Sequence, residues 1–309
     1  MSAEMHAYRA KSSAIEFDTW LISAVVLLVA VGLVMVTSSS IAIAEKQFHI
    51  PLYYLWRSLE YLVLSVIAAI IVRRIPMTRW LSWSPARMFI SVFLLALVLV
   101  VGKEVNGSTR WLCYQNQCFQ VSELAKFSLI IYMASFLVRH EDRIKQSVGA
   151  LLSPFLVLGL FAILLLKEPD FGTLAVMLLT VIAMVLLGGV SIKIYLAILA
   201  AAVSSMVLFL ITSSYHSERF TSFLHPCAPE NAFASGYQLC QALIAFGQGG
   251  VLGVGLGSSV QKLFYLPEAH TDFIFAVLGE ELGLFGVLMV ISLYAIIIYR
   301  AYCIGRVAE

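Results

Sequence analysis

Eight apolar runs along this chain each approach the ~20 residues that carry a helix across a bilayer. They fall at about 19–43, 53–72, 87–102, 122–139, 148–166, 171–189, 192–212 and 272–299. The runs are continuously apolar and do not alternate, which selects helices over a barrel, because backbone groups in hydrocarbon must be satisfied within the segment. The expected fold is all-α: a polytopic transmembrane helix bundle of eight spans, with a long extracytoplasmic loop between spans seven and eight. Composition agrees. The 309 residues are 61% hydrophobic and 12% charged, with a mean hydropathy of +0.93, and the charged share is about half that of a soluble domain. The first run is too long for a cleaved signal peptide and lacks a small-residue cleavage site, so it is expected to stay as a span. Residues 1–18 read as a cytoplasmic tail, disordered or interfacial, and 19–309 as one transmembrane domain.

Basic residues orient the bundle. Arg73, Arg74, Arg79 and Arg87 flank or fill one short connection, and Arg139, Arg143 and Lys145 another. Arg9, Lys11, Arg300 and Arg306 mark the two ends. Alternating spans place all of them on one side, which the positive-inside rule makes cytoplasmic. Loops 103–121 and 213–271 are then extracytoplasmic, and the expected location is the plasma (inner) membrane. The formal net charge of +2 gives no footprint for nucleic acid. Cys113, Cys118, Cys227 and Cys240 fall on the outer side and Cys303 inside. An even outer number permits disulfides in an oxidising compartment, and free thiols are the equal alternative. Cys113–Cys118, with four intervening residues, is the best local candidate.

The stretch GVGLGSSVQKLFYLPEAHTDFIFAVLGEELG, residues 253–283, concentrates the chain's unusual chemistry. Lys262, Glu268, His270 and Asp272 sit in a short loop that runs into the last apolar run. Glu280 and Glu281 lie about two turns further on. Ionisable groups at such depth are expensive and mark function. On an ideal helix Asp272, Ala276, Gly279 and Gly283 share one face, so Asp272 is expected to look inward. Glu280 is roughly 80° round from it and Glu281 roughly opposite. Glu280 is the expected cavity neighbour and Glu281 the expected partner of another helix. Gly279 and Gly283 form a small-xxx-small pair that allows close approach. The simpler role for Asp272 is helix capping.

Other words are weighed more briefly. GVGLG follows no strand, which gives a dinucleotide fingerprint little support; its glycines suit a tight turn or a close backbone approach. SGYQLCQALIAFGQGG has near-helical amphipathic spacing and is expected as a helix on the outer surface. TSSS (37–40) suits helix packing. In KEPDFGT (167–173) the Asp-Phe-Gly is no kinase signature, and the Pro–Asp break reads as a tight outer turn. Glu123 and Lys126 share a helix face at i,i+3, so Lys126 is either paired locally and snorkelling or a basic site for a pyrophosphate. Arg110 and Trp111 form a cation beside an amphipathic ring at the membrane surface.

These words resemble the FtsW-like branch of the SEDS (shape, elongation, division, sporulation) family. QKLFYLPEAHTDFIFAVLGEELG carries most of the likeness. NGSTRW, SELAK, the Pro-Asp-Phe-Gly-Thr turn, GYQLCQ and AFGQGG extend it over about residues 15–305, with Val121 in place of a usual Pro and Pro229–Glu230 in place of Asp–Pro. Family members usually carry ten spans, so the resemblance implies that the last two helices are lacking. It also implies a peptidoglycan glycosyltransferase that polymerises lipid II into β-1,4 glycan strands in cell division, with undecaprenyl pyrophosphate as leaving group. Asp272 is the catalytic candidate. Arg110, Trp111, Glu123, Lys126, Lys262, Glu268, His270 and Glu280 are the substrate-binding candidates, with Asp170 and Lys167 behind them. A Mg or Mn ion could neutralise the pyrophosphate, although no ligand cluster demands one. The implied partners are a class B penicillin-binding protein transpeptidase, other division proteins and membrane lipid. Physics alone leaves two rivals open, a lipid II flippase and a non-catalytic division scaffold, since spans and intramembrane charges fit a transporter equally well.

Overall fold

The computed structural model describes residues 18–105, 108–114, 117–146, 148–212 and 221–308. The tail to residue 17, Asn106 and Gly107 of the NGSTRW word, and 213–220 at the opening of the long loop lie outside the described residues. Among the described residues six helices are long and apolar enough to cross a membrane: Thr19–Phe48, Tyr53–Arg74, Ser84–Val101, Val121–Arg139, Gly149–Lys167 and Ile274–Arg306. The sixth and seventh expected spans form shorter apolar helices over Phe171–Leu187 and Ile192–Ser205. The chain divides into two compact units, one of Met1–Ile67 with Ser213–Glu309 and one of Ala68–Thr212.

The first unit is built on two long helices. Helix α1 (Thr19–Phe48) is capped by Asp18, whose carboxylate accepts from the Leu21 N–H at 2.8 Å. Arg300, near the far end of the last helix, donates to the same carboxylate from Nε at 2.8 Å and Nη2 at 2.5 Å. The start of α1 therefore lies beside the end of that helix, and the two run antiparallel. Met35, Ala276, Val277 and Leu278 are buried in one cluster along them. Helix α2 (Tyr53–Arg74) begins in this unit and buries none of its residues. An apolar helix left so exposed suits solvation by lipid, which is as apolar as its side chains.

The second unit contains α3 (Met77–Ser82), α4 (Ser84–Val101), three short strands, α5 (Val121–Arg139), α6 (Glu141–Gln146), α7 (Leu152–Lys167), α8 (Phe171–Leu187) and α9 (Ile192–Thr212). Leu95, Val98, Ala125, Met133, Phe161, Leu165, Met177 and Val185 fill its core. Ser91 of α4 donates to Ser128 of α5 at 2.8 Å, a buried interhelical bond of the kind small polar residues make in membranes. Strands β1 (Lys103–Val105), β2 (Ser108–Tyr114) and β3 (Gln117–Gln120) form an antiparallel sheet in chain order. Cys113 and Cys118 face one another in its register and are joined as a disulfide. The sheet is an addition to an otherwise helical expectation.

Helix α10 (Tyr237–Gly249) forms where the amphipathic pattern places it and packs against α11 (Ile274–Ala308) in the first unit. A second disulfide, Cys227–Cys240, joins its first turn to the preceding loop. Two expectations about the last span need correction. The helix begins at Ile274, so Asp272 lies in the turn before it and is exposed. Gly283 has φ +63 and breaks the helix, so Asp272, Ala276, Gly279 and Gly283 do not form one continuous face. The expected close approach at the two glycines is present. A Cβ on Gly279 would lie 2.4 Å from the Phe246 ring of α10, and one on Gly283 would lie 2.4 Å from the Gly253 nitrogen.

Candidate active site

The break in α11 is the structural centre of the first unit. Interrupting a membrane helix frees backbone groups that hydrocarbon cannot satisfy. Here the Gly-rich segment after α10 satisfies them. Val254 and Gly255 donate to the carbonyls of Glu280 and Glu281 at 2.9 and 3.1 Å. Leu284 and Phe285 donate to Gly250 and Val251 at 3.0 and 3.3 Å. Gly253, at φ +79, makes a close approach to the break: a Cβ there would lie 2.1 Å from the Glu281 carbonyl oxygen. Only glycine meets both the dihedral and the spacing.

The two glutamates beside the break grip the next stretch of loop. Glu280 is buried at 1% exposure and accepts from the Val260 N–H at 2.9 Å, the Gln261 N–H at 3.4 Å and the Ser259 hydroxyl. Glu281, equally buried, accepts from Lys262 Nζ at 2.6 Å and from Ser38 of α1 at 2.8 and 2.9 Å. Lys262 also donates to Ser38 at 2.9 Å. Four consecutive loop residues, 259–262, are thus fastened to α11, and α1 is tied to the same knot. Glu281 meets another helix, as its position predicts. Glu280 and Lys262, expected beside substrate, are instead enclosed with their polar atoms turned onto the chain itself. The physical reason is that a buried charge must be paired and hydrogen-bonded.

From this clamp the loop emerges into a tight turn. Thr271 and Phe273 both donate backbone N–H to the Glu268 carbonyl, at 3.2 and 3.1 Å, and the Thr271 hydroxyl donates to the Glu268 carboxylate at 2.7 Å. Glu268, His270 and Asp272 are gathered in this one turn. Glu268 and Asp272 are exposed, while His270 packs its ring 4.8 Å from Tyr54 of α2. Asp272 makes no hydrogen bond with the described residues, so the capping role has no support in the geometry. Its carboxylate is free to meet a ligand at the foot of an apolar helix.

In the second unit Arg110 of β2 donates from Nη2 to the Pro169 carbonyl at 2.5 Å, and its Nη1 lies 3.8 Å from Asp170. Asp170 also caps α8, accepting from the Thr173 N–H at 3.3 Å. Its neighbour Glu168 is buried at 1% exposure with both carboxylate oxygens unpartnered. Burial pushes its carboxyl up to about 7, the Asp170 charge adds to the rise, and the Arg110 charge opposes it. Lys126 pairs with Glu123 at 2.8 Å, the local pair that the i,i+3 spacing allows. Trp111 is half-buried in the sheet, opposite Gln120.

Three functional-looking residues escape a reading of the sequence. Ser38 is hidden in a run of small hydroxyls, Tyr54 in the first turn of an apolar helix, and Glu168 beside a turn-forming Pro–Asp. A signal existed for two of them. A buried Glu281 requires a cation and donors, and an acid next to Asp170 between two apolar runs requires an explanation.

Fold and site define a polytopic helical membrane protein whose last span is broken, with a glycine-rich loop folded into the break and fastened there by buried acids and a lysine. The chain matches the FtsW/RodA/SpoVE model of cell cycle proteins over residues 18–309 and belongs to that family. It is 46% identical over 295 residues to the probable peptidoglycan glycosyltransferase FtsW of Coxiella burnetii, covering 95% of this chain and 79% of the relative. The corresponding Escherichia coli protein is 42% identical over 296 residues, covering 96% and 71%. Among solved structures, a chain of a peptidoglycan synthase complex that coordinates polymerization and crosslinking superposes with a TM-score of 0.72 at 26% identity, covering 93% of this chain and 77% of that one. The rod shape determining protein RodA of Thermus thermophilus superposes at 0.62, also at 26% identity, covering 93% and 74%.

Proposed function

We propose that this chain is a peptidoglycan glycosyltransferase of cell division that polymerises lipid II, with Asp272 as general base. The observation that carries the reading is the exposed, unpartnered carboxylate of Asp272, held in a turn that a buried clamp pins in place. In the step envisaged, the acceptor GlcNAc 4-hydroxyl oxygen attacks the anomeric carbon of the lipid-linked donor. The bond from that carbon to the pyrophosphate oxygen breaks, the electron pair leaves with undecaprenyl pyrophosphate, and the hydroxyl proton passes to Asp272. Charge on the leaving group calls for cations, and the likeness of the NGSTRW and SELAK words to the family assigns that part to Arg110 and Lys126. Among the described residues no three His, Cys, Asp or Glu side chains cluster as a metal cage. A Mg or Mn ion bound to the pyrophosphate would neutralise its charge.

The same reading takes Phe171–Leu187 and Ile192–Thr212 as spans six and seven, giving eight. It keeps both chain ends cytoplasmic and Asp272 on the extracytoplasmic side. Supporting it are the basic connections and the Asp18–Arg300 bond, which sets the start of α1 beside the end of α11. A class B penicillin-binding protein is the natural transpeptidase partner, since one solved relative is a chain of a peptidoglycan synthase complex.

The test is polymerisation of labelled lipid II by the full chain in detergent, alone and with that partner. Wild type should form glycan. Asp272→Asn, nearly isosteric but unable to take a proton, should insert normally and lose roughly 10²–10⁴-fold in rate. A wild-type rate in Asp272→Asn would remove Asp272 from the chemistry. Lipid II flipping in liposomes without polymer would favour a transporter.

A further inference from the structure

Next to the Asp272 turn the chain gathers a group of rings that the proposed chemistry has not used. Phe48, at the end of α1, stacks on Tyr53 with ring centroids 4.0 Å apart and planes 16° from parallel. Tyr54 stands edge-on to both, at 6.0 and 5.4 Å. Tyr54 in turn meets the His270 ring at 4.8 Å, and His270 Nδ1 is buried without a hydrogen-bond partner. His270 is two residues from Asp272, so their Cα atoms are at most about 7 Å apart. Gln47 accepts from the Tyr54 hydroxyl at 3.3 Å, and the Glu268 carboxylate is exposed in the same turn.

A cluster of rings with an amide and an imidazole against it, and two exposed carboxylates in the adjoining turn, fits one kind of ligand well. It must present flat C–H faces to the rings and hydroxyl or acetamido groups to the rim, because aromatic side chains combine apolar faces with polar tips and specific sites add a few placed polar groups. A saccharide does this. A membrane-interface belt is the competing use of such residues, but belt aromatics spread around a bundle. These three rings instead converge on one another, and Tyr54 on His270, a loop residue two positions from the proposed base.

We propose that Tyr54 and His270, backed by Phe48 and Tyr53, form a stacking floor for the acceptor saccharide whose hydroxyl is presented to Asp272. The inference rests on the glycosyltransferase reading for the word acceptor, but saccharide binding can be measured without turnover. The probe is N,N′-diacetylchitobiose, observed by saturation-transfer NMR on the full chain in lipid nanodiscs. Irradiating aromatic protons should transfer saturation to the sugar ring protons of the probe. Tyr54→Leu should weaken the interaction on the order of tenfold, the upper end for one aromatic contact. His270→Ala should weaken it from the loop side and serves if Tyr54→Leu fails to insert. Tyr54→Phe should retain the transfer. Trp56→Leu, whose ring is exposed on the same helix but outside the cluster, should leave it unchanged.

No transfer to wild type, or transfer unaffected by Tyr54→Leu and His270→Ala in inserted protein, overturns the inference. So does a loss in Trp56→Leu equal to that in Tyr54→Leu, which would mark a membrane belt. Lipid II polymerisation in the same samples separates the two readings. Polymer without Tyr54-dependent probe binding sinks the floor alone, and Tyr54-dependent binding without polymer sinks the glycosyltransferase reading alone.

Discussion

Glu168 is the described side chain whose surroundings depart furthest from what a carboxylate needs. Its two oxygens are buried without partners, with Asp170 as a like-charged neighbour and Arg110 as the nearby cation. The folded state raises its pKa from 4.5 to about 7, so between those values the folded chain holds more proton than the unfolded one. Stability therefore falls as pH rises through that window and levels off above it. Glu168→Gln keeps the shape and removes the titration. It should match wild type in thermal unfolding near pH 4.5 and exceed it at pH 8, by up to roughly 3 kcal/mol. A difference that stays constant from pH 5 to 8 would show that Glu168 is not the titrating group. This residue was not legible beforehand, because exposure is decided by the packing of α7, α8 and β2 and not by the Pro–Asp word beside it. The Glu123–Lys126 pair was legible, since both partners lie on one helical turn and need no tertiary information.

The spans themselves could be read closely from the apolar runs. Expected bounds of 53–72 and 122–139 become Tyr53–Arg74 and Val121–Arg139. The last span could not, because its break at Gly283 is a tertiary event. Extrapolating an ideal helix from Asp272 carried four residues onto a face that the chain interrupts. The loop after α10 supplies both the donors and the acceptors that make the break tolerable, and nothing local in the last span announces that loop. Gly283→Ala should be destabilising for two reasons. Its φ is +63, where an L side chain is strained by about 1–3 kcal/mol, and its Cβ would press on the Gly253 nitrogen. A detergent melt unchanged from wild type would mean that the loop is not seated in the break. The side-chain clamp beside it makes a separate prediction. With Glu281 fully enclosed and Lys262 nearly so, removing one partner leaves a buried charge alone. Glu281→Gln and Lys262→Met should each cost about 3–5 kcal/mol, and the double variant clearly less than their sum. Additive losses would show that the pair is not coupled.

The whole bundle has one property on which the proposed chemistry depends, its direction through the membrane. Lipid-linked sugars can be polymerised outside the cell only if Asp272 and loop 213–271 face outwards. The basic residues around α2, α3 and α4 argue that those connections stay inside. The Asp18–Arg300 bond adds that the start of α1 and the end of α11 share a side, so an even number of crossings separates them. Direct labelling fixes the sides absolutely. Phe233 is 89% exposed in the long loop, and Ser82 is exposed in the basic connection. Cys113–Cys118 and Cys227–Cys240 are paired in disulfides, leaving Cys303 as the free background thiol among the described residues. In a Cys303→Ser background, a membrane-impermeant thiol reagent should label Phe233→Cys in intact spheroplasts and spare Ser82→Cys until the membrane is opened. The reverse pattern would put Asp272, the aromatic floor and the clamp on the cytoplasmic side, where the proposed acceptor is not presented. It would overturn the assignment of Asp272 as base and every site placed outside with it.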